Sequence, residues 1–90
     1  ASPCHAPALN NLAFLRRRQQ RIQEAIDLYE QSLQCNPDGY LAHLGLGHIY
    51  YSDVRERERA AQHYTRALEE LDPLHKDARM LKERILELTW

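Results

Sequence analysis

The chain has 90 residues, the size of one small domain. At 43% hydrophobic residues it is too apolar for a disordered chain, and with 3 Gly and 4 Pro it has too few turn formers for an all-β domain with many hairpins. A formal charge of -1, from 12 Lys+Arg against 13 Asp+Glu, gives no bulk attraction to nucleic acid or membrane. So short a chain holds a core but not a deep enclosed pocket as well, which disfavours most enzyme classes.

From residue 6 onward apolar residues recur at steps of three and four, the spacing of one helical face. Leu9, Leu12 and Ala13, flanked by Phe14 and Leu15, predict a helix over 7–18, with Pro7 where a first turn tolerates a missing N–H. Ile22, Ala25, Ile26, Tyr29, Ser32 and Leu33 predict a second over 22–35, stopped by Asn36-Pro37-Asp38-Gly39. Leu41, Leu44 and the stretch 46–51 predict a third over 40–52, with Asp38 as its N-cap. Ala60, Ala61, Tyr64, Ala67, Leu68 and Leu71 predict a fourth over 56–71, closed by Asp72-Pro73. Leu74, Ala78, Leu81, Ile85 and Leu88 predict a fifth over 75–90. No stretch alternates long enough to read as a strand, so the expected class is all-α. The short polar connections make neighbouring helices antiparallel.

The chain also repeats itself. Leu12-Ala13 matches Leu46-Gly47 at an offset of 34; Ala25-Ile26 with Tyr29 matches Ala60-Ala61 with Tyr64 at 35; Pro37 matches Pro73 at 36. One residue is therefore expected to have been gained in the second hairpin's loop and one near its end. The divisions that follow are a flexible tail over 1–5, a first hairpin over 6–39, a second over 40–73, and a closing helix over 74–90.

These residues resemble the tetratricopeptide repeat family. The first unit supplies Leu9, Leu12, Ala13, Ala25, Tyr29, Ser32 and Pro37; the second supplies His43, Leu46, Gly47, Tyr50, Ala60, Tyr64, Ala67 and Pro73. Arg16, Ser32 and His43 depart from the family's pattern. The resemblance implies a right-handed superhelical stack of helix–turn–helix repeats with a polar-edged capping helix. It also implies a protein–protein interaction module that takes a peptide segment or partner helix in a concave groove. Carried over position by position, the groove residues are Asn10, Phe14 and Arg17 in the first unit, and Leu41, Leu44, Gly45, His48 and Tyr51 in the second. The positions that grip chaperone C-terminal tails in one subset of the family hold Asn10 and Phe14 here, which disfavours that ligand. The expected partner segment is apolar with some acidic residues.

The run Arg16 to Arg21 is the densest charge, with Arg16, Arg18 and Arg21 as a basic edge beside Arg17. Cations at a helix C-terminus meet the macrodipole favourably and are ordinarily solvated; an acidic partner segment and, with less support, nucleic acid are the alternatives. A structural section of a longer array, or self-association through the less protected first hairpin, is the second reading of the whole chain. No two of the five histidines are three or four apart, and no nucleophile or phosphate-loop motif appears, so neither enzyme activity, metal nor cofactor is expected. Cys4 and Cys35 are expected to be reduced thiols. The absence of a recognisable signal or of an apolar run long enough to span a bilayer makes the cytoplasm the default location.

Overall fold

A computed structural model describes residues 5–89. The elements are α1 (Ala6–Arg18), α2 (Ile22–Cys35), α3 (Tyr40–His48), a π-helical turn over Ile49–Asp53, α4 (Arg57–Glu69) and α5 (Lys76–Thr89). Among the described residues there is no strand. The tail expected over 1–5 lies, His5 apart, outside the described residues, as does Trp90.

Small residues set the spacing. Ala13, Ala25, Ala60 and Ala67 are each fully buried where α1 packs on α2 and α3 on α4. Tyr64, Leu46, Ile49 and Leu81 are the largest side chains sealed among them. Helices that meet through alanine approach at the short end of the usual interaxial range, leaving room for tyrosine knobs between neighbours. α5 packs on α4, and α3 joins the two hairpins by packing on α2.

The two hairpins turn in the same way. Gln20 and Arg55 both adopt left-handed backbone, at φ 65° and 62°. After α1 the Arg21 N–H bonds back to the Arg16 carbonyl at 2.9 Å, and the Gln20 N–H bonds to the Arg17 carbonyl at 2.9 Å, the pair of bonds that closes a helix through a left-handed residue. At the second turn the corresponding bond runs from the Glu56 N–H to the Tyr50 carbonyl, at 2.8 Å, spanning one residue more. Both connections, 19–21 and 54–56, are the same length.

The extra residue therefore sits inside the helix and not in the loop, which corrects the expectation. Ala6 and Tyr40 start their helices 34 apart, whereas Ile22 and Arg57 are 35 apart. The five residues 49–53 absorb the difference as a π-helical turn, the usual way a helix accommodates one inserted residue without losing its axis. The third helix is thus α-helical only to His48.

Three further expectations are corrected. Asp38 does not cap α3: Gly39 precedes the helix, its N–H turned back onto the Asn36 carbonyl at 3.0 Å, and the Asp38 carboxylate pairs instead with Arg66 at 3.2 Å. Leu74 is not part of the α5 face, because the Asp72 carboxylate accepts its N–H at 2.8 Å in a turn that leaves the side chain 92% exposed. Cys35 is disulfide-bonded and not a reduced thiol; Cys4 lies outside the described residues.

Candidate functional site

Helices α1 and α3 lie side by side, and an open concavity of about 320 Å³ is lined by Asn10, Asn11 and Phe14 from α1, Tyr29 from α2, and Leu41, Leu44, Gly45 and His48 from α3. Its wall is mainly apolar. Phe14 and Leu41 are 53% and 59% exposed, so neither is core, while Leu44 is half-buried. At the floor the Tyr29 ring lies against Gly45, where a Cβ would overlap the ring.

Of the groove residues expected from sequence, Asn10, Phe14, Leu41, Leu44, Gly45 and His48 come together here. Arg17 and Tyr51 do not line this concavity. Arg17 forms an ion pair with Asp53 at 2.6 Å, joining α1 to the end of the π-helical turn. Tyr51 lines a second concavity of about 480 Å³ with Tyr50, Ser52, Arg55, Arg57, Glu87 and Leu88. Its hydroxyl donates to the Glu87 carboxylate at 2.7 Å, and the Arg84 guanidinium lies over its ring at 4.1 Å.

Two polar groups stand out in the α1–α3 concavity. The Asn10 Oδ1 is buried and has no hydrogen-bond partner, the sole such side-chain atom among the described residues. A buried orphan acceptor carries a desolvation cost of about 1–3 kcal/mol. The second group is His48, whose Nδ1 lies 2.7 Å from the Tyr64 hydroxyl. Burial, countered by Arg84, pushes the Tyr64 hydroxyl above its ordinary range, so it keeps its proton. The Arg84 guanidinium, 3.4 Å from that oxygen, donates to it, which leaves the phenolic proton free to point at His48 Nδ1. Burial first, then Arg17 and Arg84, hold His48 below its ordinary pKa. A neutral ring accepting at Nδ1 carries its proton on Nε2, which makes it a donor.

Sequence reasoning missed Asn11, Tyr29, Tyr64 and Arg84. Asn11 was within reach, because it stands 34 residues before Gly45 and the same offset relates Asn10 to Leu44 and Phe14 to His48. Arg84 carried no signal, since α5 matches no earlier helix of the chain.

The basic run is largely engaged. Arg16 and Arg21 each reach Glu24 at 3.6 Å, and Arg17 is held by Asp53. Arg18 lies 6.0 Å from the Phe14 ring centre, and among the described residues it pairs with no carboxylate.

Histidines do converge, though at a spacing no local motif shows. His43 Nδ1 and His63 Nδ1 are 3.2 Å apart, with His43 Nε2 bonded to the Pro37 carbonyl at 2.9 Å and the His63 ring stacked on Tyr50 at 5.7 Å. Since Nε2 must donate to Pro37, neutral His43 accepts at Nδ1 from His63. No group of three or more His, Cys, Asp or Glu side chains that could hold a metal occurs among the described residues. No helix of the described chain is long and apolar enough to cross a membrane.

Tetratricopeptide repeat models match the chain over residues 6–38 and again over 42–78. Comparisons with curated proteins and with solved structures give no match. The family's members are in general protein–protein interaction modules, typically scaffolds without catalytic activity. Two matched repeats in register with the two hairpins, and helices throughout, place the chain in the tetratricopeptide repeat family.

Proposed function

We propose that the chain is a binding module without chemistry of its own, and that it takes an extended segment of a partner protein into the concavity between α1 and α3. The observation that carries this reading is an open, mainly apolar concavity in which Phe14 and Leu41 stand exposed beside Asn10, Asn11 and His48. An extended segment has backbone N–H and carbonyl groups to offer the Asn10, Asn11 and His48 side chains along that wall. A helix laid in the same place has its mid-helix amides already bonded, so these side chains favour the extended form.

Phe14, Leu41 and Leu44 are the exposed surfaces on which an apolar side chain of that segment packs. An acidic neighbour on the same segment has Arg18 to meet, whereas Arg17 already has Asp53. Nucleic acid is a poorer fit, because Arg16, Arg17 and Arg21 face carboxylates of the chain itself.

The test begins with peptides selected against the wild-type chain from a displayed random library. Expected are apolar sequences whose affinity falls at least tenfold in Leu44→Glu and in Phe14→Ala, and stays unchanged in Leu86→Glu on the far helix. Asn10→Ala and His48→Phe each weaken binding by a smaller factor. Equal affinity for wild type and Leu44→Glu excludes the concavity as the site.

A further inference from the structure

The histidine pair between α3 and α4 has donor capacity that its own hydrogen bond does not use up. His43 and His63 stand where the first hairpin has Leu9 and Leu28, so two imidazoles together take the place of an apolar pair. His43 is buried and His63 half-buried, and among the described residues neither forms an ion pair with a carboxylate. The Pro37 carbonyl, 2.9 Å from His43 Nε2, fixes the proton on that nitrogen and leaves Nδ1 as a bare lone pair. That lone pair is 3.2 Å from His63 Nδ1. Tyr50, stacked on the His63 ring with centroids 5.7 Å apart, supports the second imidazole.

We propose that His43 Nδ1 and His63 Nδ1 together bind one divalent transition-metal ion, Zn²⁺ by geometry, which clips α3 to α4. Zinc–nitrogen bonds of about 2.0–2.1 Å at a tetrahedral angle put two ligand nitrogens about 3.3–3.4 Å apart, so this pair hardly needs to separate. A right-angled pair at that bond length sits about 2.9 Å apart, which makes a tetrahedral ion a better match than a square-planar one. A metal-bound histidine ordinarily donates its other ring N–H to a carbonyl or carboxylate, and His43 already does so to Pro37. Binding asks for one change of protonation. The His63 proton moves from Nδ1 to Nε2 through solvent, so both rings stay neutral and no proton is lost overall. Burial, then His43 and Arg59, lower the His63 pKa to about 4, which keeps that ring unprotonated at neutral pH. Arg59 is the cation that opposes the ion, and Glu56, 3.2 Å from it, offsets its charge. Water fills the remaining positions, since no third His, Cys, Asp or Glu joins the pair among the described residues. None of the residues lining the α1–α3 concavity takes part, so the proposal stands or falls independently of the peptide-binding reading.

The experiment is thermal unfolding of the full chain at neutral pH without reductant, first in a chelator and then in Zn²⁺, beside a calorimetric titration with the same ion. With free Zn²⁺ in about fivefold excess over its dissociation constant, the melting temperature rises by about 4–8 °C, and the titration gives one ion per chain. Mg²⁺ gives no rise, because it takes oxygen ligands. His43→Leu and His63→Leu, which restore the first hairpin's residues, each abolish the rise while circular dichroism stays helical. His5→Ala with His75→Ala leaves the rise intact. In ring-nitrogen NMR the Nδ1 resonances of His43 and His63 shift together as Zn²⁺ is added. No rise, a rise that survives His63→Leu, or a rise lost with His5 and His75 each overturns the proposal. Should a leucine variant unfold, the NMR titration of the wild type decides alone, and unshifted Nδ1 resonances exclude the site.

Discussion

The Tyr29 ring fills the space that a Cβ at Gly45 would need, so a side chain of the first hairpin is seated in a notch cut into the third helix. Glycine costs a helix interior about 1 kcal/mol relative to alanine, and here that cost makes room for an aromatic knob between the repeats. Gly47 makes similar room for Tyr64 within the second hairpin, where a Cβ would lie 2.7 Å from the ring. Gly45→Ala is expected to destabilise by about 1–3 kcal/mol through overpacking, despite its better helix propensity. Combining it with Tyr29→Leu should cost less than the sum of the two single changes, as urea denaturation of the four proteins would show. Additive costs would mean that the ring and the notch do not meet.

Both hairpin turns pass through left-handed backbone at a residue with a side chain, Gln20 and Arg55. Such a conformation costs about 1–2 kcal/mol for a residue with a Cβ, and glycine escapes that cost while losing more chain entropy. Gln20→Gly and Arg55→Gly are each expected to stabilise by up to about 1 kcal/mol, read as a rise in melting temperature. Val at either position should destabilise. A drop in melting temperature for both glycine variants would be incompatible with left-handed turns.

Much of the scaffold was legible because its residues act at fixed repeat offsets. Ala13 and Gly47, Ala25 and Ala60, and Tyr29 and Tyr64 announce their packing by position alone. Asn10, Phe14, Leu41, Leu44 and His48, expected together from the family resemblance, line one concavity. What escaped depends on contacts that no offset encodes. Arg17 and Tyr51 occupy equivalent positions, yet each is turned to a local partner, Asp53 and Glu87, that entered through the π-helical turn and α5. His43 and His63 stand where the first hairpin has Leu9 and Leu28, so each alone looks like an odd core residue. Only the folded hairpin puts their nitrogens 3.2 Å apart.

The π-helical turn invites a deletion. Removing Ser52 leaves the second hairpin with the length of the first, which makes the same turn without the added residue. The chain is expected to fold, because residues up to Tyr51 keep their register and Glu56 onward keep theirs. Its cost should be the Arg17–Asp53 pair, about 1 kcal/mol or less for charges as accessible as these. In the wild type a double-mutant cycle of Arg17→Ala and Asp53→Ala should give a coupling of that size, and in the deletion variant none. Loss of all helical structure on deleting Ser52 would show that the turn is needed for the fold itself.

The paired histidines make stability depend on pH in a window set by His63. Burial first, then His43 and Arg59, lower its pKa to about 4 from an ordinary 6.5. Above 6.5 the ring is neutral in both folded and unfolded chains, and its contribution to stability is fully present. As pH falls from 6.5 toward 4 the unfolded chain takes up a proton that the folded chain refuses, so stability is lost progressively through that interval and not above it. His48, lowered by burial and by Arg17 and Arg84, adds a loss of the same sign. Denaturation midpoints should already decline in the upper part of the interval, before the carboxylates begin to titrate at about pH 5. The variant His43→Leu/His63→Leu, which installs the residues of the first hairpin, should remove the larger part of that slope while leaving His48 to supply the remainder. An unchanged slope in the double variant would place the proton uptake elsewhere, and an NMR titration of the His63 ring would then have to show an ordinary midpoint.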